Sequence, residues 1–158
     1  MKVAFIAAFL SLFSISSFAQ TTEQERSWNQ PVEPFKIAGN IYYVGASDIT
    51  SYLITTPKGH ILIDGGFPQT ASLIVESINK LGFKPADIKF ILNSHAHYDH
   101  AGGIAEIKRL TNAKLLVSQP DEILFLNGGR QDPNFGDDFA FEPVRPDKLL
   151  TDGEKVRL

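Results

Sequence analysis

The sequence contains no cysteine. Without a thiol the chain can form no disulfide, no thiolate nucleophile and no cysteine-ligated zinc site of its own. It also lacks basic blocks, since 15 basic and 18 acidic side chains are spread along the chain and give a formal charge of −3. Nothing in this balance indicates nucleic acid or an anionic membrane surface as a partner.

Long apolar runs are missing too, apart from one near the start. Residues 3–15 are almost wholly apolar and follow Lys2, but this run is too short to span a membrane comfortably. Ser17 and Ala19 then place small side chains at the −3 and −1 positions of a cleavage site. We therefore expect a signal peptide over residues 1–19, a periplasmic or secreted protein, and no membrane contact after cleavage. An uncleaved anchor is the alternative.

The rest of the chain has the size of one domain, because 158 residues with 43% hydrophobic content can bury one ordinary core. Residues 20–34 are polar, contain Pro31 and Pro34, and show no sustained period. They predict an extended N-terminal arm. Residues 35–158 are expected to form the domain.

Chemistry concentrates in a short segment after a predicted strand over residues 88–93. Three of the four histidines of the chain fall within six residues, with a carboxylate among them: His95, His97, Asp99 and His100. In an extended turn, side chains two residues apart point to the same side, so His95 and His97 can bind one ion. Asp99 and His100 lie just beyond and can face a second ion.

These ligand types indicate which metals fit. Imidazole and carboxylate without thiolate suit Zn²⁺, although Fe, Mn and Co remain open. The alternative is a polar loop with scattered histidines, which is improbable for a chain with only four. The segment therefore predicts a metal site.

The segment from His95 to His100 resembles the His-x-His-x-Asp-His signature of the metallo-β-lactamase superfamily. The resemblance extends from about Trp28 to Leu158 and is greatest to the third subclass of class B (zinc) β-lactamases. It covers residues 34–45, 51–54 and 59–66 as well as the histidine segment. It implies an α/β (α+β) fold, in which this chain supplies the first half of an αββα sandwich: a mixed sheet with flanking helices.

The resemblance also implies an activity. Two zinc ions per complete site would be held by His95 and His97 and by Asp99 and His100, with Asp99 also orienting the nucleophile as the catalytic residue. The implied reaction opens a β-lactam and confers antibiotic resistance. Hydrolysis of a thioester or lactone is the alternative within the family. No histidine follows His100, so each ion lacks a third ligand and a C-terminally truncated, non-catalytic zinc-binding remnant is the other alternative.

The chain pattern supports an α/β order of elements. Alternating and apolar runs predict an antiparallel meander, then strands that alternate with helices. The predicted strands lie at 41–45, 51–55, 60–64, 88–93, 114–118, 149–150 and 156–158, and the helices at 70–81, 104–110 and from 120 to Gly128. Apolar runs at 61–63, 91–92 and 115–117 indicate strands buried on both faces. If the inner face has no partner sheet, we expect self-association through it.

Four further features have two interpretations or a minor role. Asp64 could orient the metal segment or cap the turn that follows it. His60 is expected to be exposed and not a ligand, and Trp28 to pack against the domain. The irregular loop over 127–147 carries three aromatic residues that could line a substrate groove or pin the loop to the core, the second being favoured: Phe135, Phe139 and Phe141.

Overall fold

A computed structural model describes residues 22–158. The predicted signal peptide and the first two residues of the predicted arm lie outside the described residues. No helix in the described part combines the length and apolarity needed to cross a bilayer. The helices are α1 (Glu23–Trp28), α2 (Thr70–Lys80), α3 (Tyr98–Ala101), α4 (Ile104–Thr111) and α5 (Glu122–Asn127), with 3-10 turns at Pro85–Asp87 and Gln119–Asp121. The strands are β1 (Phe35–Ala38), β2 (Ile41–Tyr43), β3 (Tyr52–Thr56), β4 (Gly59–Ile63), β5 (Ile88–Leu92), β6 (Lys114–Ser118) and β7 (Lys148–Leu150).

All seven strands form one mixed sheet, and their order in the sheet is their order in the chain. The first four strands pair antiparallel, and the last four pair parallel. Parallel neighbours need a crossover, which is supplied by α2, by α3 with α4, and by α5 with the loop after it. The predicted meander and the mixed α/β sheet with flanking helices are confirmed.

One face of the sheet packs against α2 and α4. Apolar residues from each of the strands β3 to β6 lie on this face and are fully or almost fully buried, as are the apolar residues of the two helices that meet them. Their periods of two and of three to four residues match the predicted patterns. This cluster contains Leu53, Leu62, Ile91, Leu115 and Val117 from the sheet and Ile74, Ile78, Ile104 and Ile107 from the helices.

The opposite face is less covered than the sequence predicts. In β4 and β5 the buried Leu62 and Ile91 each lie between two apolar residues that are only half-buried: Ile61, Ile63, Phe90 and Leu92. The prediction that these two strands are buried on both faces is therefore wrong. The reason is that successive side chains point to opposite faces, and the described helices cover one of them. Strand β6 differs, because three consecutive apolar residues, Leu115 to Val117, are buried there. Self-association through the open face stays a prediction.

The edges of the chain also differ from expectation. The predicted extended arm contains α1, which begins with a capping box formed by Thr22 and Glu25. Strand β1 was not predicted, and all four of its residues are exposed. No strand forms over the last three residues, 156–158.

Candidate metal centre

The predicted ligands lie in a segment that we call the metal turn, residues 93–100. It begins where β5 ends and leads into α3, with His97 as the extended residue before the helix. The carbonyl of His97 accepts hydrogen bonds from the backbone N–H groups of His100 and Ala101 at 3.0 and 2.7 Å. The change from extended to helical backbone turns the side chains before and after it towards each other.

Three of the four predicted ligands meet in space. Ligand atoms of His95, Asp99 and His100 all lie within 4.8 Å of one another. The rings of His95 and His100 are 4.1 Å apart between centroids, and His100 Nε2 lies 3.2 Å from Asp99 Oδ2. Two imidazoles and a carboxylate that converge in this way fit a zinc ion.

The fourth predicted ligand lies beside this cluster. The His97 ring is 4.6 Å from that of His95, but its Nε2 atom lies 3.4 Å from Asp132 Oδ2. The structure thus brings all four side chains into one region. The division into two pairs, each holding its own ion, stays a prediction.

The side chain of Asp64 holds the metal turn in place. Its buried carboxylate accepts hydrogen bonds from Asn93 Nδ2 at 2.9 Å and from the backbone N and Oγ of Ser94 at 2.8 Å each. It also lies 2.9 Å from His100 Nδ1. Asp64 has a left-handed backbone with φ of 62°, which a non-glycine residue adopts only when its surroundings hold it there. Of its two predicted roles, these contacts support orientation of the metal turn.

The surroundings of His95, Asp99 and His100 shift their pKa values. Hydrogen bonds to Asp64 and then to Asp99 raise the pKa of His100 to about 9. The hydrogen bond with His100 in turn lowers the pKa of Asp99. Burial, followed by repulsion from His100 and His97, lowers the pKa of His95. A metal ion would compete with the proton on His100, because a metal ligand must be deprotonated.

Two glycines let α4 approach the Asp64 turn closely. A Cβ on Gly103 would lie 2.3 Å from the carbonyl oxygen of Gly65, and one on Gly65 would lie 2.7 Å from Ile104 Cγ1. The backbone N–H of Gly65 donates to the carbonyl of His100 at 2.7 Å, and that of Gly103 donates to the carbonyl of Gly66 at 3.0 Å. This close approach fixes the end of the metal turn against the sheet.

The N-terminal arm packs against the domain through hydrogen bonds of Trp28 and Asn29. The carbonyl of Trp28 accepts hydrogen bonds from Ser47 Oγ at 2.7 Å and from the backbone N–H of Asp48 at 2.9 Å. Asn29 Oδ1 accepts one from Thr70 Oγ1 at 2.6 Å. The arm is therefore docked on the domain, yet the Trp28 side chain stays 39% exposed. It borders a cleft, so the expectation that Trp28 only packs against the domain is incomplete.

That cleft lies beside the metal turn and has a volume of about 200 Å³. Its walls come from the arm, from the segment after β4, and from residues 128–147, which we call the aromatic loop. Phe135 and Phe139 of this loop are 43% and 46% exposed and pack edge to face, whereas Phe141 is buried. Both interpretations of the aromatic residues thus hold for different members. The lining consists of Glu25, Trp28, Phe67, His97, Tyr98, Asp99, Phe135 and Phe139.

Two residues behave differently from expectation. His60 is buried, not exposed, because Phe83 lies 5.3 Å away and covers its ring. It is not among the grouped ligand atoms of the described residues. Asp132 was not singled out, since nothing in its spacing links it to a histidine 35 residues earlier. Only the folded loop brings the two together.

Comparison with known proteins agrees with this geometry. The profile of the metallo-beta-lactamase superfamily matches residues 44–157. Native FEZ-1 metallo-beta-lactamase from Legionella gormanii is 47% identical with a TM-score of 0.80, over 82% of this chain and 50% of that one. The class B3 di-zinc metallo-beta-lactamase LRA-12 from an Alaskan soil metagenome is 44% identical with a TM-score of 0.80, over 83% and 50%.

A curated relative has another described activity. An N-acyl homoserine lactonase from Bacillus cereus is 33% identical over 75 residues, which cover 33% of this chain and 30% of the relative. The chain spans about half the length of the two solved enzymes. The family profile nevertheless covers most of the sequence, and the solved neighbours share its fold. The chain belongs to the metallo-β-lactamase superfamily of hydrolases.

Proposed function

We propose that this chain provides the metal-binding part of a zinc-dependent hydrolase that opens the β-lactam ring. The observation that carries the proposal is the convergence of His95, Asp99 and His100 beside an aromatic cleft. The description of a neighbour at 44% identity as a class B3 di-zinc enzyme supports zinc and the β-lactam. With the predicted signal peptide, such an enzyme would act in the periplasm or outside the cell and confer antibiotic resistance.

The chemistry assigns a task to each side chain. Zinc bound at this site would polarise the lactam carbonyl and lower the pKa of a bound water towards ~7. Asp64 occupies the Nδ1 side of His100, so its Nε2 is the nitrogen left to face the cluster. Asp99 is half-buried at the edge of the cleft, where its carboxylate can bind metal and orient an attacking water.

The cleft supplies the substrate side of the site. Trp28, Phe135 and Phe139 present apolar ring surface next to His97 and Asp99. Clefts of this kind bind a small molecule through apolar walls and a few polar groups. A bicyclic β-lactam has an apolar body and one reactive carbonyl, which suits rings on one side and the metal turn on the other.

Zinc binding tests the first part of the proposal. We expect His97→Ala and Asp99→Ala each to weaken Zn²⁺ binding by an order of magnitude or more in calorimetry, since even partners of metal ligands are worth ~10–100-fold. His60→Ala is the matched control, because it removes a histidine outside the cluster. Equal zinc uptake by wild type and the double variant would contradict the metal site.

A second candidate function is lactone hydrolysis, favoured by the similarity to N-acyl homoserine lactonases. Zinc-loaded protein should be assayed with a chromogenic cephalosporin and with an acyl homoserine lactone. Both the purified chain and the whole product of the gene that encodes it should be used. Faster lactone than β-lactam turnover by the gene product would favour the lactonase.

The third alternative is a zinc-binding remnant without activity. Because four ligands shared by two ions leave each ion with two, we expect the chain alone to turn over far more slowly than the enzyme median of ~10 s⁻¹. Turnover near that median would contradict the ligand argument. A zinc-loaded gene product inactive on both substrates would contradict the hydrolase and leave the remnant.

A further inference from the structure

Asp132 is an acidic side chain in an unusual place. It lies in the aromatic loop, yet its side chain is only 6% exposed. Burying a carboxylate is costly unless hydrogen bonds or charges compensate for the lost water. The contacts of its two oxygens therefore indicate what it does.

The two oxygens face different groups. Asp132 Oδ1 accepts hydrogen bonds from the backbone N–H groups of Asn134 at 2.7 Å and Phe135 at 3.1 Å. Oδ2 lies 3.4 Å from Nε2 of the His97 imidazole, within ion-pair distance. Oδ1 thus stabilises the turn of the loop, and Oδ2 contacts His97, a predicted metal ligand.

The loop holds Asp132 in this orientation. The backbone groups of Asp132 and Gly136 exchange hydrogen bonds at 3.1 and 2.9 Å. The preceding residue, Gln131, has a left-handed backbone with φ of 61°. The ring of Phe135 then packs on that of His97 at 5.2 Å. The side chain of His97 is therefore held between a carboxylate and an aromatic ring of the same loop.

We propose that Asp132 is a positioning residue that holds the Nε2 proton of His97 and so leaves Nδ1 as the nitrogen free to bind a metal ion. A neutral imidazole carries one proton, and a carboxylate can only accept a hydrogen bond, so the proton belongs on the nitrogen that faces Asp132. The assignment of Nδ1 to a metal rests on the proposed zinc site. The proton position does not depend on it.

The variant Asp132→Asn separates this role from the shaping of the loop. Asparagine keeps a side-chain oxygen for the N–H groups of Asn134 and Phe135. It replaces the oxygen near His97 by an NH₂ group, which favours a lone pair on Nε2 and the proton on Nδ1. The fold is retained while the proton of His97 moves.

Nitrogen NMR on ¹⁵N-histidine-labelled protein shows which ring nitrogen of His97 carries the proton. The spectrum is simple, because the chain has only four histidines. We expect the neutral imidazole of His97 in metal-free wild type to carry its proton on Nε2. Asp132→Asn should shift it to Nδ1. Asp138→Asn, at an exposed position of the same loop, is the matched control and should leave it in place.

Zinc affinity provides a second readout. Calorimetry with Zn²⁺ alone should show a loss of about 10-fold or more for Asp132→Asn, and little change for Asp138→Asn. Any wild-type spectrum with a proton on Nδ1 of His97 overturns the proposal, as does Asp132→Asn with wild-type proton position or zinc affinity. If neither the wild type nor the variants bind zinc, the proposed zinc site is wrong, but the NMR result still tests the role of Asp132.

Discussion

The metal turn and the aromatic loop face the same cleft but are held in different ways. The metal turn is held by the buried carboxylate of Asp64, which follows β4, and by the backbone hydrogen bond between Gly65 and His100. The aromatic loop is anchored by backbone hydrogen bonds of Gly129 at its start and of Val144 and Asp147 at its end, while its tip bonds mainly to itself. Its two cleft rings stay nearly half exposed. The difference indicates a preorganised set of ligands next to a wall that can adapt to a substrate.

The largest effect is expected from removing the support of the metal turn. Asp64→Ala leaves Ser94 and His100 without their shared acceptor, which should lower the free energy of unfolding by about 3–5 kcal/mol, as for a broken buried charge pair. Urea unfolding measures it. Asp152→Ala, at an exposed turn, is the control. A loss below ~1 kcal/mol would mean that the turn does not depend on Asp64.

A second test addresses the close backbone contact between the start of α4 and the Asp64 turn. Gly103→Ala places a methyl group 2.3 Å from the carbonyl oxygen of Gly65, so α4 must move away from the Asp64 turn. We expect a loss of about 2–3 kcal/mol, the usual range for overpacking. Gly136→Ala is the control for adding a methyl group, since a Cβ there meets open space, although its positive φ adds some strain. Equal losses in both would show that the close contact is not what matters.

The third test uses pH on metal-free protein in a chelator. The pKa of His100 is raised from its ordinary value of 6.5 to about 9 by Asp64 and Asp99. The protonated ring therefore stabilises the fold fully below pH ~6.5, and this contribution is lost as pH rises through ~9. The shift alone corresponds to about 3 kcal/mol, and because solvent screens the 23% exposed ring, we expect a loss of about 1–2 kcal/mol between these values.

Thermal unfolding at pH 6.5 and 9.5 measures this loss. Asp64→Asn should flatten the dependence, because it removes the first cause of the raised pKa. Wild type and Asp64→Asn with the same slope would contradict the assignment of the shift to His100.

The smallest effect on stability is expected in the aromatic loop. Phe139→Ala removes a ring that is 46% exposed, so the free energy of unfolding should change by less than about 1 kcal/mol. Binding of a β-lactam to the zinc-loaded protein should nevertheless weaken several-fold. Leu110→Ala, on the exposed side of α4, is the control and should change neither. A large stability loss for Phe139→Ala would show that the loop is as rigid as the metal turn.

The same contrast explains what the sequence could predict. The metal turn is local: its four predicted ligands lie within six residues at the end of an apolar strand, so spacing alone predicts that they lie close together. The orienting role of Asp64 was one of two options, because the contact joins residues 30 or more apart. Asp132 could not be found at all, since its partner is decided by how an irregular loop folds back. Long-range contacts of loops carry no periodic signal.

Burial was predicted well on one face of the sheet only. Apolar runs in β4 and β5 suggested two covered faces, yet the side chains on the face away from α2 and α4 are half exposed. An apolar run in the sequence indicates that a strand face can be buried, but it does not show whether another element covers that face. His60 shows the converse, because a polar residue beside a turn was buried by a phenylalanine 23 residues later.

The order of the strands has a consequence for how the protein is made. Each strand pairs with the strand before it in the chain, so the sheet can grow in the direction of synthesis and never has to open to admit a later strand. Such pairing keeps the contact order low for a sheet of this size, which favours rapid folding. Asp64 and the metal turn are complete once residue 103 has been added. The ligand cluster can therefore assemble while the aromatic loop has yet to leave the ribosome.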